Sequence, residues 1–444
     1  MSSRPSIRPS RDGSSPIAKN LFGKPARSFA SVCMREPFNY ASSTRRRLFP
    51  PVPDDSGQRY ESKGCRSIQY LTVNGPVQVS RRVYWNRQKG SVTPVDQWLG
   101  MSQSRYSVGV RQLCCREAVG NDFRTAAENL AYVGQLHLSH ETVRGLVEGE
   151  GRQVLAQQGS GALGPNWTAQ DCRPGPSRPT CLITGADGVK VPLVTEAEKK
   201  KRRKRRARRR QGQPKRRPMH RGSDQPYKEF KIVAFYDPSK QHQYAVGTSG
   251  NHQKLGQWMR QTAGQLKLDQ ADLAYSVSDG AEWIRKQYPL QLPMLKANIL
   301  DYYHLRDNVT KAGQRVYGQG SLQSQHWREQ VCGYFLEKGP EHALEQIKAL
   351  RKTLRAPEKR KALEQLIKFI DARKEMMQYP QFKAAGYEIG SGPTEAFCKT
   401  LTGRLKGQGM RWDKPNAEAM MALASVCSSH LWQTYWDIRR KVPA

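Results

Sequence analysis

The chain alternates between two hydrophobic periods, and the changes of period divide it into segments. Alternating apolar and polar residues surround Asn74-Gly75, a dipeptide that is the strongest short signal for a β-hairpin. Residues 65–106 are therefore predicted to form a small β-containing unit, with regular structure beginning near Gln69. Residues 1–64 mix Ser, Pro and Arg without a period, which predicts a flexible basic arm.

A helical period follows and gives residues 107–155 the layout of a helix-turn-helix. Phe123 and Leu130 belong to the apolar face of a first helix, and Ser139 is placed to begin a second. Helical hairpins are common, so this pattern alone favours DNA reading and a plain structural role about equally, and the basic context of the chain favours a DNA-binding region. Residues 156–180, rich in Gly, Pro and Gln, then predict a linker between domains.

The second half of the chain has the pattern of an α/β fold with a mixed sheet. Residues 181–304 contain three extended segments, a helix, a strand, a short helix and a last strand, which is the order of a ribonuclease-H-like domain. Residues 305–388 are helical and charged without a strand pattern, which predicts an all-helical insertion. Residues 389–444 are expected to return to the sheet as its final helices, the last of them a single terminal helix.

The composition of the chain indicates the kind of partner that it binds. The formal net charge is +36 and favours a polyanion, most simply double-stranded DNA. Residues 199–217 carry 14 of the cations, within a region, 196–222, that is predicted to be a solvated basic loop. Sequence-independent phosphate contact is expected from cations of this tract, namely Lys199, Lys200, Arg202, Arg203, Arg205, Arg206, Arg208 and Arg209.

Other classes of protein are disfavoured. No apolar run approaches the ~18 residues of a spanning helix, and the first residues lack the apolar segment of a secretory signal. We therefore expect no membrane partner and a cytoplasmic, nucleoid-associated protein. The nine cysteines are dispersed without a CxxC pair, which predicts reduced thiols and no zinc site.

Three acids carry the candidate chemistry. Asp187 and Asp279 each stand in an Asp-Gly dipeptide at the predicted end of an apolar strand, and Glu395 lies in the first turn of a late helix. Each has an ordinary explanation by itself, as a turn residue or as an acid favoured by the helix dipole. Together, two strand ends and a late helix predict an oxygen-rich site for two Mg²⁺ or Mn²⁺ ions, ~3.5–4 Å apart, that cuts a phosphodiester.

Two further residues are placed near this site. Asp301 and His304 stand three residues apart at the end of the last strand, in "ILDYYH", and an orienting or DNA-contacting role is preferred over primary metal ligation. Cys398 follows Glu395 by one helical turn and has no base partner, so it is expected to be a small buried residue.

Five stretches together resemble a known family: "GADGVKVPLVTEAEKKKRRKRR", "SDQPYKEFKIVAFYD", "SVSDGAEWI", "ILDYYH" and "YEIGSGPTEAFCKTLTGRLKGQGMRW". They are similar to the ISKra-type insertion-sequence transposases, relatives of the Mutator-like group, over roughly 65–440. The resemblance implies a DDE transposase with divalent metal that cuts and joins DNA at element ends. It also implies at least a homodimer in the complex that holds two ends.

The resemblance assigns roles motif by motif. It implies that Asp187, Asp279 and Glu395 are the catalytic triad, and that the Asp-x-x-His signature comprises the accessory residues of "DYYH". The family's basic segment after the final acid matches "RLKGQGMRW", which implies DNA contact by Lys406, Arg411 and Trp412.

Two other functions fit the same sequence. A catalytically inert DNA-binding regulator would bind DNA with a steep salt dependence but would not cut it. A structure-specific nuclease on the same fold would cut branched DNA without joining it. The choice between Asp279 and Asp301 as the second catalytic acid rests on motif matching, which favours Asp279.

Overall fold

The computed structural model describes residues 60–99, 101, 104–173, 175, 178–212, 225–407 and 410–440. The basic arm predicted for 1–64 therefore lies outside the described residues up to position 59, as does the part of the basic loop between 213 and 222. None of the helices within the described ranges has the length and apolar character needed to cross a membrane.

Eight strands and fifteen α-helices are described. The strands are β1 (Glu61–Thr72), β2 (Gly75–Asn86), β3 (Gly90–Val92), β4 (Cys181–Leu193), β5 (Gln225–Tyr236), β6 (Gln243–Thr248), β7 (Leu273–Ser278) and β8 (Ala297–Leu300). The helices before the insertion are α1 (Pro94–Trp98), α2 (Val108–Gly120), α3 (Phe123–Gly134), α4 (His140–Ser160), α5 (Glu196–Arg210), α6 (His252–Leu266) and α7 (Glu282–Gln291). The insertion and the C-terminal region contain α8 (Tyr302–Tyr317), α9 (Leu322–Glu337), α10 (Pro340–Thr353), α11 (Pro357–Asp371), α12 (Tyr379–Ala384), α13 (Gly392–Lys406), α14 (Lys414–Ser428) and α15 (Trp432–Arg440).

The predicted hairpin is present, and it is longer than expected. β1 begins at Glu61 rather than near Gln69, and Gly75 takes the positive φ, 102°, that the tight turn requires. The hairpin is shared between two compact units. One contains its outer part, up to Ile68 and from Ser80 to Val95, and the other contains Gln69–Val79 with all described residues from Asp96 onward.

The larger unit is built on a five-stranded mixed sheet in the order β6-β5-β4-β7-β8. β5 pairs antiparallel with both β4 and β6, while β7 pairs parallel with β4 and with β8. The strands are apolar because helices cover the sheet, and side chains such as Ile183, Val233 and Val277 are fully buried. The predicted strands of 181–304 are present in the predicted order, with one helix, α5, between β4 and β5 that was not predicted.

The helices of the predicted helix-turn-helix are present, but they do not form a separate domain. Ser139 caps α4, as the sequence predicts, by accepting a hydrogen bond from the Thr142 amide. α4 then continues to Ser160, into the predicted linker, and packs lengthwise on α14. Leu163 and Ala169, within the described part of that linker, are also buried. The described part of the linker is therefore partly packed against the rest of the protein.

The final segment differs from the prediction of one terminal helix. It forms two helices, α14 and α15, separated at Ser429–Leu431, where His430 adopts a left-handed φ of 56°. The break lets the Ser429 hydroxyl accept a hydrogen bond from the Ala245 amide of β6 at 3.0 Å. Tertiary contact with the sheet edge therefore overrides the continuous helical pattern.

The insertion is all-helical, as predicted, and starts slightly earlier, at Tyr302. It leaves the sheet directly after β8 and returns immediately before α13. Both junctions are held together, because the Tyr302 amide donates to the Ile389 carbonyl at 2.9 Å. The Tyr379 hydroxyl, on α12, donates to the Leu300 carbonyl at 3.0 Å.

Candidate functional site

Three acids occupy the same register on adjacent strands. Thr184 of β4 pairs with Ser276 of β7, and Asp187 and Asp279 each lie three residues further along their chains. Ser278 of β7 pairs in turn with Leu300 of β8, so Asp279 and Asp301 stand at matching positions as well. In parallel strands, residues at matching register project to the same side. The three acids therefore follow the last paired residues of these parallel ladders, at the same edge of the sheet.

The sequence predicted Asp187 at the end of its strand, but the structure places it within the strand. β4 continues to Leu193 because it remains paired with antiparallel β5, and Asp187 pairs there with Ile232. What ends near Thr184 is the parallel ladder with β7. Asp187 is therefore held by a continuous strand on one side, while its other side opens toward the loop after β7.

The Asp187 and Asp279 carboxylates influence each other's environment. Burial is the main cause that raises the pKa of Asp187, and the negative charge of Asp279 raises it further. Each carboxylate accepts a local hydrogen bond, Asp187 from the Gly188 amide at 2.6 Å and Asp279 from the Ala281 amide at 2.8 Å. A half-buried Asp187 whose charge is opposed by a neighbouring carboxylate is a favourable place for a cation.

Glu395 reaches the sheet because α13 packs unusually close to β4. A Cβ at Gly185 would overlap Oγ1 of Thr394, the residue before Glu395. Cys398, one turn later, is buried beside Asp187, and burial raises the pKa of its thiol. Glu395 itself is partly exposed, with Lys399 Nζ at 3.9 Å from its carboxylate. Close packing thus fixes the helix while the acid stays accessible.

Asp301 is the most buried of these acids, at 1% exposure, and it joins two elements. Its Oδ1 accepts from the Tyr303 amide at 2.8 Å, which caps α8. Its Oδ2 accepts from the amide and the hydroxyl of Ser391, the N-cap residue of α13. Asp301 therefore ties the last strand to the helix that carries Glu395. An Asp just before a helical pattern is an N-cap signal, and it could have been recognised in the sequence.

Asp301, His304 and Glu395 also form a candidate cation cluster. One ligand atom from each lies within 4.8 Å of the others. Asp187 and Asp279 take part in no such group of three His, Cys, Asp or Glu within the described ranges. The structure thus brings Glu395 together with the two accessory residues, and brings Asp187 together with Asp279.

Arg373, from the insertion, also contacts the site, and no sequence pattern predicted this contact. Its Nε donates to the Gly280 carbonyl at 2.9 Å, and its guanidinium lies 4.3 Å from the Phe369 ring centroid. Burial is the main cause that lowers its pKa, whereas the nearby Asp279 charge opposes that effect. The contact fixes the loop that follows Asp279.

The described part of the basic tract is a helix, α5, and not the solvated loop predicted for 196–222. The helix dipole stabilises two acids in the first turn, and these acids pair with cations one turn later. Glu196 lies 2.6 Å from Lys199 Nζ, and Glu198 lies 2.6 Å from Arg202 Nε. These pairs begin a helix that the repulsion between the following cations alone would oppose.

α5 is anchored at its beginning. Lys199 Nζ lies 2.5 Å from Asp413, the residue that caps α14. Lys199 and Arg202 therefore serve partly to hold the helix in place. Among the other predicted phosphate contacts, the following side chains are exposed: Lys200, Arg203, Arg206 and Arg208. Arg205 is half-buried, and the backbone alone is described for Arg209.

The three candidate DNA contacts after α13 do not share one environment. Lys406 and Arg411 are exposed, and burial together with the Arg202 charge lowers the pKa of Arg411. Trp412, in contrast, is 5% exposed, and its ring lies 5.8 Å from that of Phe123. The structure assigns Trp412 to core packing, which does not favour the predicted DNA contact.

Comparisons with known proteins give a distant homologue. Residues 53–161 match UPF0236, an uncharacterised protein family. A Streptococcus gallolyticus protein described as "UPF0236 protein in vanSb 3'region" is 23% identical over 396 residues, covering 87% of this chain and 78% of that protein. Among solved structures, a chain of the Drosophila P element transposase strand transfer complex aligns over 75% of this chain and 94% of its own length. Its sequence identity is 10% and its TM-score 0.32, a score that supports no inference.

Proposed function

We propose that the chain is a DDE transposase, an enzyme that cuts DNA at insertion-sequence ends and joins those ends to a target. The observation that carries this proposal is the common register of Asp187 and Asp279, with Glu395 on a helix packed against the strand of Asp187. The strand order β6-β5-β4-β7-β8, interrupted before α13 by a helical insertion, supports a ribonuclease-H-like fold. The five sequence motifs support the ISKra-type family.

The proposed reaction is in-line attack on a phosphodiester, first by water and then by the released 3′-hydroxyl. Asp187, Asp279 and Glu395 would hold two Mg²⁺ or Mn²⁺ ions, for which their oxygen donors are suited. Such ions, when bound, activate the attacking oxygen and neutralise charge on the phosphate. A ring nitrogen of His304 lies within 4.8 Å of a Glu395 carboxylate oxygen, and His304 would orient that carboxylate in the loaded site.

Asp301 has a positioning role in this proposal. Both of its carboxylate oxygens already accept hydrogen bonds, from Tyr303 and from Ser391. Asp279 accepts from the Ala281 amide through one oxygen and lies close enough to raise the pKa of Asp187. These contacts favour Asp279 as the second catalytic acid.

The charge distribution supports duplex DNA as the substrate. The exposed cations of α5, with Lys406 and Arg411, would neutralise phosphates without reading sequence. A dimer or higher oligomer would follow from the need to hold two element ends together. The helices α2 to α4 would contribute to DNA binding only through the faces that packing on α14 leaves open.

The test is cleavage and strand transfer by the full chain in Mg²⁺, on duplexes carrying the inverted repeats that flank its gene. Asp187→Asn, Asp279→Asn and Glu395→Gln should each reduce cleavage at least ~100-fold, because loss of outer-shell partners alone costs ~10–100-fold. DNA binding should be nearly unchanged. Asp301→Asn keeps an oxygen acceptor for its partners, so it should reduce cleavage by only ~10–100-fold. Glu345→Gln, on the exposed face of α10, is the matched control.

Three outcomes would overturn the proposal. Full strand transfer by Glu395→Gln would remove its proposed role as a metal ligand. Cutting of branched DNA without joining would favour the structure-specific nuclease. Salt-steep binding with no metal-dependent cutting by the parent chain would favour the inert regulator.

A further inference from the structure

The positive charge of the helical insertion is concentrated in one short stretch. Residues 348–361 carry seven cations and one acid. The rest of 302–388 carries nine cations and nine acids and is therefore neutral. An insertion that were basic only for solubility would spread its charge, so this concentration points to a local anionic partner.

The stretch forms the tip of a helical hairpin. It includes the end of α10, a short connection and the first turns of α11. Arg351 closes the hairpin through a 2.7 Å pair with Glu364. The remaining cations of the tip are exposed: Lys348, Lys352, Arg355, Lys359, Arg360 and Lys361.

Cations of α11 also lie together on one face of that helix. Arg360, Lys361 and Lys368 border a shallow depression of about 500 Å³, together with Glu364 and Gln365. Glu364 is held by Arg351, which lowers the pKa of its carboxyl group. The single acid in the depression is thus neutralised internally, and the surface presents a net positive charge.

The side chains of the tip indicate which polyanion it binds: a single strand, a membrane surface or a duplex. Residues 348–361 contain no aromatic side chain on which single-stranded bases could stack. The large apolar side chains found exposed in the described ranges all lie elsewhere, so the tip offers no anchor for a membrane. Cations without stacking or apolar groups fit the phosphate backbone of a duplex.

We propose that residues 348–361 form a second surface for duplex DNA, distinct along the chain from α5. The surface binds phosphates without sequence preference. This inference deepens the proposed function, because it adds a second duplex contact to the same enzyme. It rests on that function for the identity of the polyanion.

The test compares two triple variants of the full chain with the same change of net charge. The tip variant combines Lys352→Gln, Lys359→Gln and Lys361→Gln. The control combines three exposed lysines elsewhere in the insertion, Lys311→Gln, Lys338→Gln and Lys383→Gln. Binding to a labelled duplex is titrated in EDTA between 50 and 200 mM salt, roughly the range over which counterion release is resolved.

The tip variant should reduce the slope of log K against log salt by about 2 to 3, since each lost phosphate contact contributes ~0.9. The control should change it by less than about 1. Equal changes in both variants, or no change in either, would overturn the proposal. An equal effect on a single strand would do the same, as would a loss confined to anionic vesicles. Binding is measured in EDTA and cutting in Mg²⁺, so the two assays are independent. A chain that showed the slope difference but did not cut DNA in Mg²⁺ would overturn the transposase proposal and leave the DNA surface standing.

Discussion

At the scale of single residues, the site depends on a missing side chain. Gly185 lies on β4 two residues before Asp187, and it leaves room for Thr394 on α13. The separation between α13 and the sheet sets where Glu395 can place its carboxylate. A glycine with ordinary φ in a buried strand is thus explained by the close approach of a helix rather than by a turn.

Gly185→Ala should impair both the proposed catalysis and the stability of the fold. The added methyl group forces α13 outward and should cost about 1–3 kcal/mol of unfolding free energy. Metal-dependent cleavage should fall by at least ~10-fold because Glu395 moves with its helix. Adding Thr394→Ala removes the overlapping hydroxyl and should restore part of the activity. Unchanged cleavage by Gly185→Ala in a folded protein would contradict this account.

At the scale of elements, two glycines of α4 separate the effect of helix packing from the effect of helix propensity. α4 buries one face on α14, and a Cβ at Gly151 would lie 2.6 Å from the Ala419 carbonyl oxygen. Gly149 lies two residues earlier on the same helix, and a Cβ there meets nothing within 4 Å. The two glycines look equivalent in sequence but differ completely in the folded protein.

These two glycines give a matched pair of variants. Gly151→Ala should lower the free energy of unfolding by about 1–3 kcal/mol, since backbone atoms on both helices must shift. Gly149→Ala should raise it by about 0.5–1 kcal/mol through helix propensity. Denaturant unfolding of both proteins measures the difference. Similar behaviour of the two variants would mean that α4 and α14 are not packed as described.

At the scale of the whole molecule, a buried ionic network joins distant parts of the chain. Glu150 on α4 is 4% exposed and accepts from Arg111 of α2 at 2.7 Å and from the Tyr435 hydroxyl at 2.6 Å. Arg439 Nη2 lies 3.1 Å from the same carboxylate. The network fastens the C-terminal helix α15 to the helices before the sheet, and this makes them one unit.

Glu150→Gln should therefore destabilise the whole larger unit. The substitution removes the buried negative charge that Glu150 supplies to Arg111 and Arg439, which should cost about 3–5 kcal/mol. Tyr435→Phe removes one neutral donor and should cost only about 0.5–1.5 kcal/mol. Thermal unfolding measures the loss of stability, and amide hydrogen exchange measures protection in α4 and in β4 separately. Loss of protection in α4 with β4 unaffected would show that the two do not unfold together.

The predictions that held depend on local pattern, and those that failed depend mainly on distant partners. The hairpin, the strand order and the helical insertion follow from hydrophobic period, which neighbouring residues determine. The basic loop was wrong partly because the local pairs of Glu196 and Glu198 with cations one turn later were not recognised, and partly because Lys199 also pairs with Asp413, which is distant in sequence. The linker and the single terminal helix were wrong because of contacts with distant segments.

The sequence by itself determined the order of elements, the excess of positive charge and the acids that could carry chemistry. The tertiary structure decided which acids face each other, because the register of β4 against β7 joins residues that are far apart in sequence. It also decided that Asp301 holds α13, since Ser391 reaches it only after the insertion returns. Such relations arise from hydrogen bonds and close packing between distant segments, which local spacing does not encode.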